Sequence, residues 1–118
     1  MADTTIWHNP GCSTSRHAMD TAAALGVEIA ERRYLSDSPD RAELLALMEI
    51  LDDPPADLVR KDQRFQSLGL DEADYRTAEQ VADLLASEPR LIQRPVLIRG
   101  DRAIIGRPKD RAEEFLAG

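Results

Sequence analysis

The sequence of 118 residues contains one cysteine, Cys12, which excludes an internal disulfide bond. A lone free thiol is most stable in a reducing environment, so we expect the protein in the cytoplasm. Long apolar runs are also missing, since none approaches the ~18 residues that a membrane span requires. Residues 1–4 have neither the basic nor the apolar region of a signal peptide, and we expect no such peptide.

Basic residues are the scarcer charged class, with 15 Lys and Arg against 22 Asp and Glu and a formal net charge of −7. Proteins that bind nucleic acids or anionic membranes need a basic face, so this balance argues against both functions. It does not exclude a local cluster of arginines, because the field inside a pocket can oppose the sign of the whole protein.

The length and the absence of repeats predict a single domain over residues 1–118. Four short segments have the apolar pattern and turn boundaries of strands: residues 5–8, 27–35, 96–99 and 102–105. Helical spacing predicts a helix from Ser13 that stops at Gly26, and a last helix with Pro108 in its first turn.

The stretch over about residues 38–89 is predicted to be a block of helices between the second and third strands. Two capping boxes mark helix starts there, Asp40 with Glu43 and Thr77 with Gln80, and a short helical turn is expected at residues 58–61. The resulting α/β order predicts a mixed four-stranded sheet flanked by helices, and a thioredoxin-like fold with a helical insertion fits it.

Cys12 stands in the segment HNPGCSTSR, between the first strand and the first helix. A free cysteine is often only a small buried apolar residue. At this position, however, the sulfur would face unpaired amides at a helix N-terminus, which lower a thiol pKa and also bind anions. His8 and Arg16 add potential positive charge, and the three hydroxyl residues after the cysteine add hydrogen-bond donors.

Three arginines stand beside predicted element boundaries: Arg60, Arg94 and Arg107. Most arginines are solvated surface charges, so none of the three is informative alone. Arg94 and Arg107 each precede a proline, which forces an extended backbone and makes the direction of the side chain reproducible. The two Arg-Pro steps flank one predicted hairpin, an arrangement that could present both cations to one anion.

The segment HNPGCSTSR together with Arg60-Lys61, Arg94-Pro95 and Gly106-Arg107-Pro108 resembles the glutaredoxin-coupled arsenate reductase family. The resemblance covers nearly the whole chain and implies a thioredoxin-like fold with a helical insertion. It implies that Cys12 is the nucleophile, that Pro95 has a cis peptide bond, and that His8 and Ser15 tune the thiol. It also implies three oxyanion-binding residues: Arg60, Arg94 and Arg107.

The same resemblance implies the reaction and its partners. Arsenate would react with the Cys12 thiolate to form a thiol-arsenate adduct, which glutathione and then glutaredoxin would resolve. With a single thiol, the chain cannot resolve the adduct itself. We expect glutathione as a co-substrate, no bound cofactor and a monomer. No metal is expected, because His8, His17 and Cys12 do not form a ligand set of known spacing.

Three other interpretations use the same cysteine. A redox-sensing transcription regulator would need a Cys-x-x-Cys switch, but its second position is Ser15. A different glutathione-dependent thiol oxidoreductase would have no need of three oxyanion arginines. A tyrosine-phosphatase-like arsenate reductase would need Cys-x5-Arg, and that position is Ala18, which excludes this class.

Overall fold

Four short strands form one mixed sheet in the computed structural model, which describes residues 3–118. Residues 1 and 2 belong to the stretch in which we predicted no signal peptide, and they lie outside the described residues. The strands stand in the order β2-β1-β3-β4, with bounds β1 Thr4–Trp7, β2 Ile29–Arg32, β3 Val96–Arg99 and β4 Arg102–Ile105. The β1–β2 pair is parallel, and the β1–β3 and β3–β4 pairs are antiparallel.

The helices are α1 Ser13–Leu25, α2 Arg41–Ile50, α3 Gln63–Ser67, α4 Ala78–Ser87 and α5 Asp110–Ala117. Short 3-10 turns occupy Pro55–Leu58, Glu72–Asp74 and Pro89–Leu91. The predicted mixed four-stranded sheet with flanking helices and a thioredoxin-like order is therefore confirmed. In the described part of the chain, no helix is both long and apolar enough to cross a membrane.

The two faces of the sheet support two hydrophobic clusters, because successive side chains of a strand point to opposite faces. One cluster contains Trp7, Val96 and Ile105 together with side chains of α2 and α4. The other takes their chain neighbours Ile6, Leu97 and Ile104 and packs them against α1 and α5. Helices on both faces thus bury the sheet, and its ends are left for loops.

The local signals at the helix ends behave as the sequence predicted. The Asp40–Glu43 and Thr77–Gln80 capping boxes are both formed. Gly26 ends α1 with φ +70°, a left-handed conformation that glycine adopts without steric cost.

Several predicted bounds were wrong. The second strand covers only Ile29–Arg32, because Val27 still donates to the last turn of α1 and the chain turns again after Arg33. The helical turn expected at residues 58–61 lies instead at Pro55–Leu58, since Pro55 begins the turn. Beyond it the backbone is extended, and Val59 pairs with Ile92.

Two further differences concern the helices. Helix α3 was not predicted from the sequence, and its start is capped by the Asp62 carboxylate, which accepts from the Phe65 amide. The last helix begins at Asp110, so Pro108 precedes it and does not lie in its first turn.

Candidate active site

The topology of the sheet brings four separate chain segments to one edge. The Trp7–Arg32 pair aligns the carboxyl ends of β1 and β2, so the segments that follow them leave the sheet side by side. The antiparallel neighbour β3 begins at that edge, where Val96 pairs with Trp7, and β4 ends there, where Ile105 pairs with Val96. The Cys12 loop, the segment after β2, and the two Arg-Pro steps therefore meet at this edge.

Cys12 is the N-cap residue of α1, with an extended backbone and no side-chain cap hydrogen bond. Its residue surface is 9% exposed. The loop before it is tied down by the Asn9 side chain, which accepts from the Gly11 amide at 2.9 Å, and by Arg16, which donates to the Pro10 carbonyl at 2.8 Å. The thiol thus occupies a fixed position at the start of a helix of 13 residues.

The electrostatic surroundings favour the thiolate. Burial raises the pKa of Cys12, but the backbone amides of Ser15 and Thr14 and the Arg94 side chain outweigh it and lower the pKa to about 7. A substantial fraction of the sulfur is therefore ionised at neutral pH, and a thiolate is the nucleophilic form. The helix N-terminus predicted from the sequence thus stabilises the thiolate through the backbone amides of Ser15 and Thr14.

His8 and Ser15 lie against the back of the loop, where both are buried. His8 Nδ1 and Ser15 Oγ are 2.7 Å apart, and the same hydroxyl accepts from the Asn9 amide at 2.9 Å. Burial, with smaller contributions from nearby Arg33 and Arg16, lowers the pKa of His8. Glu31 opposes this effect without reversing it, so the surroundings favour the neutral imidazole over the positive charge that the sequence suggested. That His8 and Ser15 tune the thiol stays a prediction.

Arg94 and Arg107 both lie at the open end of the hairpin, Arg94 before β3 and Arg107 after β4. Arg107 Nη2 lies 3.4 Å from Cys12 Sγ, while its Nε donates to the Arg94 carbonyl at 2.7 Å. Arg94 is the arginine whose side chain lowers the pKa of Cys12. Arg107 therefore contacts the sulfur directly, and Arg94 acts on its ionisation.

The two Arg-Pro steps are held against each other by backbone contacts. The Arg94–Pro95 peptide bond is cis, as the resemblance implied, and the Arg107–Pro108 bond is cis as well. Gly106 donates to the Pro95 carbonyl at 2.9 Å. A Cβ at position 106 would lie 2.8 Å from Pro95 Cγ, so the close approach of the two segments requires glycine.

Arg60, the third predicted anion ligand, is arranged differently. Its Nε lies 3.0 Å from Asp62 Oδ2, and its amide donates to the Leu91 carbonyl. The positive charge of Arg60 opposes the overall rise in the pKa of Tyr34. Its guanidinium, however, is already paired with the Asp62 carboxylate. The structure therefore brings Arg94 and Arg107 to Cys12 and leaves Arg60 in an ion pair nearby.

Tyr34 is a residue of this edge that the sequence analysis missed. It follows β2 as the Cys12 loop follows β1, and it is fully buried. Arg94, Asn9, Cys12 and Arg60 all affect its pKa, which burial, the largest influence, raises. Its position in the sequence could have indicated this, because Tyr34 follows β2, and β2 pairs in parallel with β1, the strand that precedes Cys12.

The charged groups of the site do not form a metal centre. Among residues 3–118, no group of three or more His, Cys, Asp and Glu side chains could hold a metal ion. The functional groups at Cys12 are instead a thiol and guanidiniums, which suit a nucleophilic attack on an anion.

Comparison with known proteins finds similarity over almost the whole chain. The model of the ArsC family matches residues 7–115. An arsenate reductase from Haemophilus influenzae is 34% identical over 113 residues, which cover 94% of this chain and 97% of the relative. An arsenate reductase from Escherichia coli is 34% identical over 98% of this chain and 82% of its own length. The solved arsenate reductase from Vibrio cholerae superposes with a TM-score of 0.82 at 28% identity, covering 94% of this chain and 95% of that one.

Proposed function

The chain belongs to the ArsC family, and from that premise we propose that it is an arsenate reductase in which Cys12 attacks arsenate. The observation that carries the proposal is the 3.4 Å contact between the Arg107 guanidinium and Cys12 Sγ at the start of α1, where the pKa of Cys12 is lowered to about 7. A thiolate alone repels an oxyanion. A thiolate next to fixed cations can receive one.

The arginines suit a tetrahedral oxyanion for a physical reason. Arsenate carries negative charge near neutral pH, so its approach to a thiolate requires that the charge be neutralised. A guanidinium does not titrate in this range, and its planar fork can donate two parallel hydrogen bonds to neighbouring oxygens. In this proposal Arg94 and Arg107 would bind the anion, and Arg60 would join them when the anion competes with Asp62 for its guanidinium.

The first step would be an attack of Cys12 on pentavalent arsenic. An S–As bond forms while an As–O bond breaks, and the departing oxygen leaves as water after taking up protons from solvent. Arsenic is still pentavalent in this adduct. No second cysteine of this chain can supply electrons, because Cys12 is the only one.

We propose glutathione as the second thiol. Its sulfur would replace another arsenic oxygen, which again leaves as water. The two sulfurs would then join in a mixed disulfide while two electrons pass to arsenic, which departs as trivalent arsenite. Glutaredoxin and a further glutathione would reduce the mixed disulfide and restore the Cys12 thiol.

The proposal is tested by arsenate-dependent oxidation of NADPH, coupled through glutathione reductase, glutathione and glutaredoxin. Turnover should require arsenate and both thiol components, and Cys12→Ser should abolish it. Phosphate in place of arsenate is the matched control, because it resembles arsenate in shape but is not reduced by thiols.

A second arm separates the electron donors. Thioredoxin normally reduces a disulfide that its target has already formed, and a lone cysteine forms none within the chain. Thioredoxin with its reductase should therefore not sustain turnover. Steady turnover with thioredoxin alone would overturn the glutathione proposal while leaving arsenate reduction intact.

The intermediate can be observed directly. Without glutathione, the reaction should stop at no more than one arsenate adduct per Cys12. With glutathione and no glutaredoxin, mass spectrometry should find glutathione attached to Cys12, and added glutaredoxin should remove it. An adduct on any other residue would contradict the proposed chemistry.

A further inference from the structure

Two hydrogen-bond donors at the site edge are buried without an acceptor among residues 3–118: the Tyr34 hydroxyl and Arg94 Nε. We call these two groups the donor pair. The Asn9 side chain influences the Tyr34 hydroxyl, but its geometry does not amount to a hydrogen bond, and its oxygen already accepts from Gly11. Buried polar groups in folded proteins normally have hydrogen-bond partners, so two buried donors without acceptors require an explanation.

The two groups belong to one place in the fold. Tyr34 and Arg94 line the same cavity of about 240 Å³, which Asn9 and Asp62 also line. The cavity is linked to the thiol through Arg107, which donates to the Arg94 carbonyl at 2.7 Å and lies 3.4 Å from Cys12 Sγ. The Arg94 side chain also lowers the pKa of Cys12. The charges of Cys12, Arg94 and Arg60 all act on the Tyr34 hydroxyl.

The chemistry of the pair defines the missing group. Arg94 Nε can only donate a hydrogen bond, and the Tyr34 hydroxyl donates when its neighbour is an acceptor. Burial raises the pKa of Tyr34, so the phenol keeps its proton and can donate at neutral pH. The missing group is therefore an acceptor, and the guanidinium beside it favours an anionic one.

We propose that Tyr34 is a substrate-binding residue, whose hydroxyl donates a hydrogen bond to an oxygen of the oxyanion bound at Cys12, beside the Nε–H of Arg94. The assignment to arsenate rests on the function proposed above. Beside the charged arginines, the Tyr34 hydroxyl is a neutral donor. It can bind an oxygen of the anion without adding positive charge to the site. The ring of Tyr34 is part of the hydrophobic core, so the hydroxyl is held in place before the anion arrives.

The test is Tyr34→Phe, which removes the hydroxyl and keeps the ring. Without an anion, its melting temperature should equal or exceed that of the wild type, because the lost hydroxyl has no partner. The KM for arsenate should rise about tenfold, as expected for one lost hydrogen bond to a charged group, with a much smaller change in kcat. Tyr75→Phe, at the only other tyrosine, is the matched control and should change neither constant.

A binding measurement makes the test independent of turnover. In a Cys12→Ser background, arsenate should raise the melting temperature, and Tyr34→Phe should raise the concentration needed by about tenfold. An unchanged KM and unchanged binding in Tyr34→Phe would overturn the inference. So would a lower melting temperature without anion, because the hydroxyl would then have a structural partner such as water.

The two proposals can fail separately. If the wild type does not reduce arsenate but arsenate, phosphate or sulfate stabilises the Cys12→Ser protein through Tyr34, the anion site stands and the arsenate reductase assignment falls. If arsenate is reduced and Tyr34→Phe behaves as the wild type, the inference on Tyr34 falls alone. If none of the three anions stabilises the Cys12→Ser protein, the donor pair has no anionic partner and the inference is overturned.

Discussion

The two ends of the hairpin β3–β4 both carry arginines, but only one end leaves them available to a ligand. At the turn end, Arg99 donates to the Leu116 carbonyl at 2.7 Å, and Arg102 donates to Asp52 at 2.6 Å. At the open end, Arg94 Nε has no acceptor within residues 3–118, and Arg107 Nη2 faces a thiol sulfur. The same residue type thus stabilises the fold at one end and forms a candidate anion site at the other.

Cavity size does not separate these two ends. The turn end borders a cavity of about 400 Å³, which is larger than the cavities lined at the open end by Arg94, about 240 Å³, and by Arg107, about 300 Å³. The two ends differ in the hydrogen-bond acceptors that face their arginines. Near the larger cavity, a carboxylate accepts from Arg102 and helix carbonyls accept from Arg99. An arginine indicates a ligand site when the fold leaves its donors open.

The sharpest test of this comparison is Arg94→Ala and Arg107→Ala against Arg102→Ala. A hydrogen bond to a charged group contributes about 1.5–3 kcal/mol, so each open-end substitution should lower kcat/KM for arsenate by about 10- to 150-fold. Arg102→Ala should leave kcat/KM unchanged, because its exposed ion pair with Asp52 is distant from the thiol. Steady-state kinetics of the three variants decide the matter, and equal losses would remove the distinction between the ends.

Arg60 provides an intermediate case, because its guanidinium is paired with Asp62. An anion must compete with that carboxylate, so Arg60→Ala should lower kcat/KM less than Arg94→Ala does. Asp62→Ala should free the guanidinium and lower the KM for arsenate. If Arg60→Ala proves the most damaging of the three arginine substitutions, the ion pair does not describe the substrate-bound protein.

The ionisation of Cys12 predicts how stability depends on pH. Its pKa is about 7 in the folded protein and about 8.5 in an unfolded chain, so ionisation favours folding as the pH rises between these values. Relative to Cys12→Ser, the wild type should gain about 2 kcal/mol of unfolding free energy between pH 6 and pH 9. Denaturant unfolding of both proteins at several pH values measures this gain, and a constant difference would exclude a lowered pKa.

The same pKa can be read from alkylation of the thiol. The rate with iodoacetamide should rise with pH around a midpoint of about 7. Arg94→Ala should move the midpoint upward, because it removes a cation that stabilises the thiolate. Arg102→Ala is the control and should leave the midpoint in place, which ties the effect to the open end.

The smallest effect is expected at the turn end. Arg99 donates to carbonyls at the C-terminus of α5, so Arg99→Ala should lower the free energy of unfolding by about 1 kcal/mol. Its kcat/KM for arsenate should equal that of the wild type. A loss of activity without a loss of stability would show that the two ends are not independent.

The elements of the fold could be read from the sequence wherever the signal is local. Asp40 and Thr77 cap helices within three residues of themselves, and Gly26 ends a helix by its own backbone conformation. The segment after Pro54 could not be placed in this way. Val59 is extended because it pairs with Ile92, a partner 33 positions along the chain.

The same distinction between local and long-range determinants applies to the candidate site. By itself the sequence determined that a lone cysteine precedes a helix, since a turn and a helix start are encoded within HNPGCSTSR and a short apolar strand comes directly before it. Only the tertiary structure decided which side chains face it. The resemblance implies the same anion-binding role for Arg60 and Arg94, yet Arg60 is paired with Asp62, while Arg94 Nε lacks an acceptor in the described chain. Tyr34 joins the site because β2 runs parallel to β1 and ends at the same edge. The positions of hydrogen-bond acceptors and the order of the strands depend on residues far apart in the sequence. They decide whether a donor is left without an acceptor.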